Sequence, residues 1–126
     1  MIKLLINFLL LGLASVAMAQ TNFRHMTYQE ALEAAKAENK LVFMDFYTSW
    51  CGPCKMLAPV IDELASEFEG KAAICKVNTD EQQDLSAQYG IRSIPTILFM
   101  KDGQVVDQVI GATGKNVLAD KINALL

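Results

Sequence analysis

Histidine and cysteine are scarce in this sequence of 126 residues, which contains one histidine and three cysteines. Three cysteines are too few for a disulfide-rich scaffold, and a single histidine argues against histidine-rich metal centres and most Cys/His hydrolase arrangements. The sequence also lacks a basic run, and its formal net charge is -3. An acidic chain without basic clusters has little to neutralise a phosphate backbone, so we expect no nucleic-acid partner.

An apolar run lies at the N-terminus, from Leu4 to Val16, and is broken only by Asn7 among polar amides and charges. Lys3 provides a short basic start, and Ala17 and Ala19 form an A-x-A cleavage pattern, which is the order of a secretory signal. An uncleaved membrane anchor is the alternative, but this run is shorter than the roughly 20 residues of a spanning helix. We therefore predict a signal peptide that is cleaved near Ala19.

This interpretation divides the chain into a signal peptide at residues 1–19 and one domain at residues 20–126. The length of the second part suits a single domain with its own hydrophobic core. We expect the mature domain to be soluble and to lie outside the cytoplasm, in the periplasm or secreted.

Helical and strand patterns alternate along residues 20–126, with turn residues between them. The pattern predicts a helix from Thr27 to about Asn39, a strand over Leu41 to Tyr47, a helix from about Gly52 to Gly70, a strand over Ala72 to Asn78, a short helix capped within Asp80 to Gln83 and ending at Tyr89-Gly90, strands over Thr96 to Met100 and Val105 to Ile110, and a last helix with Val117, Leu118, Ile122 and Leu125.

The order of these elements predicts an α/β fold. Strands joined through a helix are expected to be parallel with a right-handed crossover. The Asp102-Gly103 dipeptide between the last two strands is typical of a hairpin, which makes that pair antiparallel. The predicted result is a mixed central sheet flanked by helices.

The candidate site is the segment Trp50-Cys51-Gly52-Pro53-Cys54-Lys55, where a strand passes into a helix. Two cysteines three residues apart near a first helical turn can form and break a disulfide without moving the backbone. The helix N-terminus favours a thiolate at the first sulfur. We therefore predict Cys51 as the nucleophile, with Trp50 as an apolar wall beside it.

A structural disulfide and half of a zinc site are the alternatives for this pair. A bridge that closes so small a loop removes little entropy from the unfolded chain, so it stabilises poorly. Zinc needs two more ligands, and Cys75 and His25 lack the paired spacing of metal ribbons. Redox chemistry is the preferred interpretation, and we expect no metal.

Asp45 is an anomaly, since it lies within the apolar run from Leu41 to Tyr47. A buried, unpaired carboxyl prefers its neutral form, so its pKa rises into a range that suits proton transfer. We predict that Asp45 takes the proton from Cys54 and that Lys76 pairs with Asp45 if their strands are neighbours. The alternative places Asp45 at a solvated strand end.

These segments, with Tyr89-Gly90-Ile91-Arg92-Ser93-Ile94-Pro95-Thr96 and Ile110-Gly111-Ala112, resemble the thioredoxin family from about Lys40 to the C-terminus. The resemblance implies the thioredoxin fold and dithiol–disulfide exchange without a cofactor other than the cysteine pair.

The resemblance also implies roles for single residues. Cys51 attacks, Cys54 resolves, and Asp45 and Lys76 form the buried acid/base pair. The Ile94-Pro95 bond is expected to be cis and to pack against the cysteines; from the residues alone, Pro95 is a proline at the start of a strand. The expected substrate-binding residues are Trp50, Gly52, Pro53, Ile94, Pro95 and Gly111.

Several positions depart from the family pattern. Tyr47 replaces a tryptophan that many members have, and Thr48-Ser49 replaces alanine and an acidic residue. Thr21 to Met26 is short and polar, which weakens the prediction of an opening strand. We interpret Cys75 as a buried core residue, and Met44, Met56 and Met100 as core packing.

The preferred function is a protein-disulfide reductase that acts on exported proteins and receives electrons from a membrane-embedded donor. A disulfide oxidase or isomerase of the same fold is the alternative, because the compartment is oxidising. A client-binding module without enzymatic activity is a third hypothesis, and the two cysteines count against it. We expect a monomer.

Overall fold

The computed structural model describes residues 27–126. The elements are helix α1 (Tyr28–Ala37), strand β1 (Leu41–Tyr47), helix α2 (Gly52–Glu67), strand β2 (Ala72–Asn78), helix α3 (Gln83–Gln88), strand β3 (Thr96–Lys101), strand β4 (Gln104–Ile110) and helix α4 (Lys115–Leu125). The predicted signal peptide and its cleavage site near Ala19 lie outside these residues. Within the described range, no helix has the length and apolar character needed to cross a membrane.

The four strands form one mixed sheet in the order β2-β1-β3-β4. Strands β1 and β2 are parallel, with Asp45 opposite Lys76, and the β1–β3 and β3–β4 pairs are antiparallel. The hairpin between β3 and β4 turns at Asp102 and Gly103, which both have positive φ. The predicted mixed sheet with helices on its faces is therefore confirmed.

One topological expectation is wrong, because β2 and β3 are joined through a helix but are not parallel. Strand β3 runs antiparallel to β1 and therefore also to β2. A parallel crossover needs a helix that returns the chain to the opposite edge of the sheet. Helix α3 has six residues and is about 9 Å long, whereas a seven-residue strand spans about 23 Å. The chain therefore enters β3 from the edge at which β2 ended.

Hydrophobic clusters cover both faces of the sheet. On one face, Ala31 and Ala35 of α1 and Leu85 of α3 pack with alternate residues of β1, including Met44. On the other face, α2 and α4 pack with Phe43 and the remaining alternate residues of the central strands. Because β1 is buried on both sides, its nearly continuous apolar sequence has a direct structural reason.

Two details of the predicted helices differ in the structure, and the proline within α2 was not predicted. Met56 is 79% exposed and Val117 is 46% exposed, so neither belongs to the core. Both precede a buried leucine by one position and therefore point away from the apolar stripe of their helices. Asp80 does not cap α3, since within the described part of the chain no side chain forms a cap hydrogen bond with that helix. Pro59 lies inside α2, although an internal proline removes one helical hydrogen bond.

Candidate active site

The cysteine pair lies at the junction of β1 and α2. Cys51 is the N-cap of α2, with extended backbone angles, and Pro53 occupies the first turn, where its missing N–H has no helical partner. The amide N–H of Cys54 donates a hydrogen bond to Cys51 Sγ at 3.2 Å. The first sulfur therefore faces the donors and the positive dipole end of the helix, as the sequence predicted.

Cys51 and Cys54 form a disulfide, with their Cα atoms 5.2 Å apart. Cys51 is 6% exposed and Cys54 is 5% exposed, so overall exposure does not distinguish them. Their surroundings distinguish the two cysteines. Cys54 lines a cleft that also contains Asp45, whereas Cys51 is the N-cap residue of α2.

Asp45 is buried in the centre of β1, with 3% of its surface exposed. Burial raises its pKa to about 6, and the positive charge of Lys76 opposes this rise. Oδ1 of Asp45 has no hydrogen-bond partner among residues 27–126. The alternative of a solvated strand end is therefore wrong, and Asp45 titrates in a range useful for accepting a proton near neutral pH.

The cleft beside Asp45 has a volume of about 100 Å³. It opens between the end of β1 and the start of α2 and is lined by Asp45, Tyr47, Thr48, Ser49, Cys54, Lys55, Ala58 and Lys76. The cleft thus brings the predicted proton acceptor and Cys54 into one pocket that is open to solvent.

Lys76 lies directly opposite Asp45 across the parallel β1–β2 pair, which is the predicted register, but its side chain is exposed, so the two do not form the buried pair that the resemblance implies. Its Nζ atom lies 5.1 Å from the centre of the Tyr47 ring, which is a cation–π contact. The lysine acts on Asp45 through its charge, while its ammonium group lies over the ring of Tyr47.

The sequence reasoning missed Asp80 as part of this site. Trp50 Nε1–H donates a hydrogen bond to Asp80 Oδ2 at 2.8 Å, while 69% of the tryptophan surface stays exposed. The signal was available, because Asp80 follows the end of β2, and parallel β1 and β2 end at the same edge of the sheet.

The other predicted substrate-binding residues lie at the same edge, in the segment before β3, directly after β4 and at the start of α2. The Ile94-Pro95 bond is cis, and Thr96, the next residue, pairs with Phe46 of β1. The N–H of Gly111 donates to the carbonyl of Pro95 at 2.8 Å. Gly52 and Pro53 are exposed, Ile94 is partly buried and Pro95 is buried. The sheet thus places these positions around one edge together with Trp50.

Cys75 lies apart from this edge, within the cluster under α1 and α3. Burial raises the pKa of its thiol to about 11, so it stays protonated and unreactive near neutral pH. Across residues 27–126 there is no group of acidic, cysteine or histidine side chains that could hold a metal ion.

Comparison with known proteins identifies the family. The thioredoxin family model matches residues 19–124. A thioredoxin from Chlorobaculum thiosulfatiphilum is 58% identical over 85 residues, which are 68% of this chain and 79% of the relative. A thioredoxin from Haemophilus influenzae is 56% identical over 82 residues, 65% of this chain and 77% of the relative. The chain belongs to the thioredoxin family.

Solved thioredoxin structures share the fold. A thioredoxin h from poplar has a TM-score of 0.72 and 37% identity, and the match covers 78% of this chain and 86% of that one. A mutant thioredoxin from Halobacterium salinarum has a TM-score of 0.67 and 40% identity, with 74% and 80% covered. This thioredoxin is therefore a thiol–disulfide oxidoreductase that works through its own cysteine pair, without a cofactor.

Proposed function

We propose that this thioredoxin reduces disulfides of exported proteins outside the cytoplasm. The observation that carries the redox assignment is the asymmetry of the pair. Cys51 is the N-cap of a helix, and its sulfur accepts a hydrogen bond from the amide N–H of Cys54. Cys54, in contrast, lines the cleft that also contains the buried Asp45.

In the first step, the Cys51 thiolate attacks a client disulfide. A bond forms between Cys51 Sγ and one client sulfur, and the other client sulfur leaves as a thiolate. The helix N-terminus and the Cys54 N–H lower the free energy of the Cys51 thiolate, so Cys51 is the attacking group.

In the second step, Cys54 resolves the mixed disulfide. The Cys54 thiol gives its proton to the Asp45 carboxylate, and the resulting thiolate attacks Cys51 Sγ. The Cys51–Cys54 bond forms and the second client sulfur leaves, so the client gains two electrons and the thioredoxin loses two. Lys76 keeps part of the Asp45 population ionised, because its charge opposes the effect of burial.

The client is expected to lie across the edge of the sheet that carries the cysteine pair. An extended peptide could form hydrogen bonds with Ile94 beside the Pro95–Gly111 contact, while the exposed ring of Trp50 borders the reacting sulfurs. Gly52 and Pro53 leave the approach to Cys51 open, because both are exposed and neither has a long side chain.

The location outside the cytoplasm rests on residues 1–19, which have the order of a secretory signal. A reductase in an oxidising compartment needs a continuing supply of electrons. We therefore infer a membrane-embedded donor that passes electrons outward from cytoplasmic thiols.

The direction of exchange is tested by equilibrating the purified protein with graded mixtures of reduced and oxidised glutathione. The Cys51–Cys54 bridge is expected to persist in strongly reducing mixtures, which marks a reductant. The fraction bridged is read by alkylation and mass, and a Cys75→Ala background limits labelling to the pair. A bridge that opens already in weakly reducing mixtures would identify an oxidase or isomerase.

Export is tested by expressing the full chain in a bacterium with two membranes and sequencing the N-terminus of the protein in each fraction. The periplasmic fraction is expected to contain a chain that begins at Gln20. An Ala19→Arg variant should keep its leader, because the cleavage pattern requires small residues. Recovery of the wild type only in the cytoplasm, with its leader intact, would contradict export.

A further inference from the structure

Thr48 is a polar residue that the structure buries without a partner. It directly follows β1 and is 2% exposed, and Thr48 Oγ1 makes no hydrogen bond with any described residue. A buried hydroxyl that lacks a hydrogen bond destabilises the folded state, because its hydration is lost without compensation. A threonine at such a position therefore needs an explanation beyond packing, because valine has the same shape without that cost.

Asp45 Oδ1 is the other buried side-chain oxygen without a partner in the described part of the chain. Thr48 and Asp45 line the same cleft, and Cys54 lines it with them. The two residues that carry the unsatisfied oxygens and the residue that carries the reacting sulfur thus line one small cleft.

The cleft can hold water. Its volume is about 100 Å³, whereas one water molecule needs roughly 10–15 Å³. Its wall carries the titratable or charged side chains Tyr47 and Asp45 from β1, Cys54 and Lys55 from α2, and Lys76 from β2. A water here has the polar partners that an ordered buried water requires.

We propose that Thr48 is a positioning residue, whose hydroxyl holds a water molecule between Cys54 Sγ and the Asp45 carboxylate. This inference rests on the proton role of Asp45 given above. The Cys54 proton passes to the water while a water proton passes to Asp45. The Cys54 electron pair then forms the bond to Cys51 Sγ, the bond between Cys51 Sγ and the client sulfur breaks, and the client sulfur leaves as a thiolate with the electron pair of that bond.

A hydroxyl suits this task because it offers one donor and two acceptor sites. It can fix the orientation of a water whose other hydrogen bonds must change during the transfer. An apolar side chain of equal volume fills the space but leaves the water free to turn away from Cys54.

The test separates the two steps with an aromatic disulfide that releases a coloured thiolate at each step. The attack of Cys51 releases the first thiolate, and the attack of Cys54 on the mixed disulfide releases the second. Stopped-flow absorbance resolves both phases in a Cys75→Ala background. Thr48→Val is expected to slow the second phase about tenfold, which is less than the full rate contribution of a proton transfer to a positioned side chain. It is expected to change the rate of the first phase by less than about twofold.

Thr48→Ser provides the matched control, because it keeps the hydroxyl and loses a methyl group. It should restore the second phase to within about threefold of the wild type. Thr48→Ala removes the hydroxyl with no risk of overpacking and should follow Thr48→Val. Equal slowing of both phases, or slowing by serine as strong as by valine, would overturn the proposal.

A double-mutant comparison with Asp45→Asn distinguishes this inference from the proposed function. If the water serves Asp45, Thr48→Val should have no further effect on the second phase in the Asp45→Asn background. The pH dependence of that phase should likewise flatten in the Asp45→Asn protein.

The failures of the two ideas differ. If Asp45→Asn leaves the second phase and its pH profile unchanged, the proton role of Asp45 is wrong. If Asp45→Asn slows the second phase and Thr48→Val does not, the proton role stands and the role of Thr48 is wrong.

Discussion

At the scale of single residues, the carboxyl of Asp45 links the chemistry of the site to the stability of the fold. Its pKa is about 6 in the folded protein against a reference of 3.8, because burial disfavours the charged form. Between these values the folded state binds more protons than the unfolded state, so the free energy of unfolding falls as pH rises. The stabilising contribution is complete below the unfolded pKa and is lost as pH passes through about 6.

We predict that Asp45→Asn stabilises the protein near neutral pH but not in acid. A shift from 3.8 to about 6 corresponds to about 3 kcal/mol, which sets an upper limit for the gain. Urea unfolding at about pH 7.5 and about pH 4 measures the difference. Asp62→Asn, at an exposed position of α2, is the control and should show no such contrast. A similar gain from Asp45→Asn at both pH values would contradict the burial effect.

Residues differ in how far the sequence alone identifies them. Asp45 stood out because a carboxylate inside an apolar strand has a local signature, and the cysteine pair stood out through its spacing. Asp80 was missed, since its hydrogen bond with Trp50 depends on the pairing of distant segments. The burial of Thr48 likewise follows from how the end of β1 packs, which no local pattern records.

At the scale of elements, α1 begins with a complete capping box. The amide of Glu30 donates to Thr27 Oγ1 at 3.3 Å, and the amide of Thr27 donates to Glu30 Oε2 at 2.9 Å. These bonds satisfy backbone groups that the helix leaves unpaired at its start. The sequence spacing predicted this start.

We predict that Thr27→Ala lowers the free energy of unfolding by about 1 kcal/mol, because the cap is lost. Thr27→Ser keeps the hydroxyl oxygen and should retain most of that stability. Urea unfolding followed by far-UV circular dichroism measures both variants. Equal losses for alanine and serine would mean that the box contributes little and that the methyl group matters instead.

The sequence patterns predicted the wrong direction for strand β3. The rule for strands joined through a helix assumes a helix long enough to recross the sheet, and α3 is too short. Apolar runs mark where strands lie, but the partner of each strand depends on the path of its connections. Here the short connection before Thr96 sets the direction in which β3 runs.

At the scale of the whole molecule, stability depends on the two clusters that cover the sheet. Phe43 of β1 and Phe99 of β3 pack edge to face, with ring centres 5.3 Å apart, and both are fully buried. Their strands are neighbours, with these two residues directly opposite. This contact joins the central strands beneath α2 and α4.

We predict that Phe99→Ala lowers the free energy of unfolding by about 3–5 kcal/mol, since it leaves a cavity in the core. Val106→Ala on the exposed side of β4 should change it by less than about 0.5 kcal/mol. Urea unfolding of both variants tests the contrast. A small effect at Phe99 would show that the cluster can collapse around the missing ring.

The fold class and the strand positions could be predicted because each strand is a compact apolar run between turn residues. The strand order β2-β1-β3-β4 could not be derived from the runs, since it is set by packing between distant parts of the chain. The sequence predicted less accurately which helix residues are buried. Met56 and Val117 are exposed, because the apolar pattern of a helix does not show where its buried face ends.

The hairpin turn at Asp102 and Gly103 lies at the far end of β3 from the edge that carries Cys51. A strand of six residues spans about 20 Å, so a bulky group attached to this turn would stand well clear of both sulfurs. The turn is therefore a suitable site for chemical attachment. A bead, an electrode linker or a fluorophore fixed at this turn should leave turnover intact, which makes single-molecule measurement of each exchange event practicable.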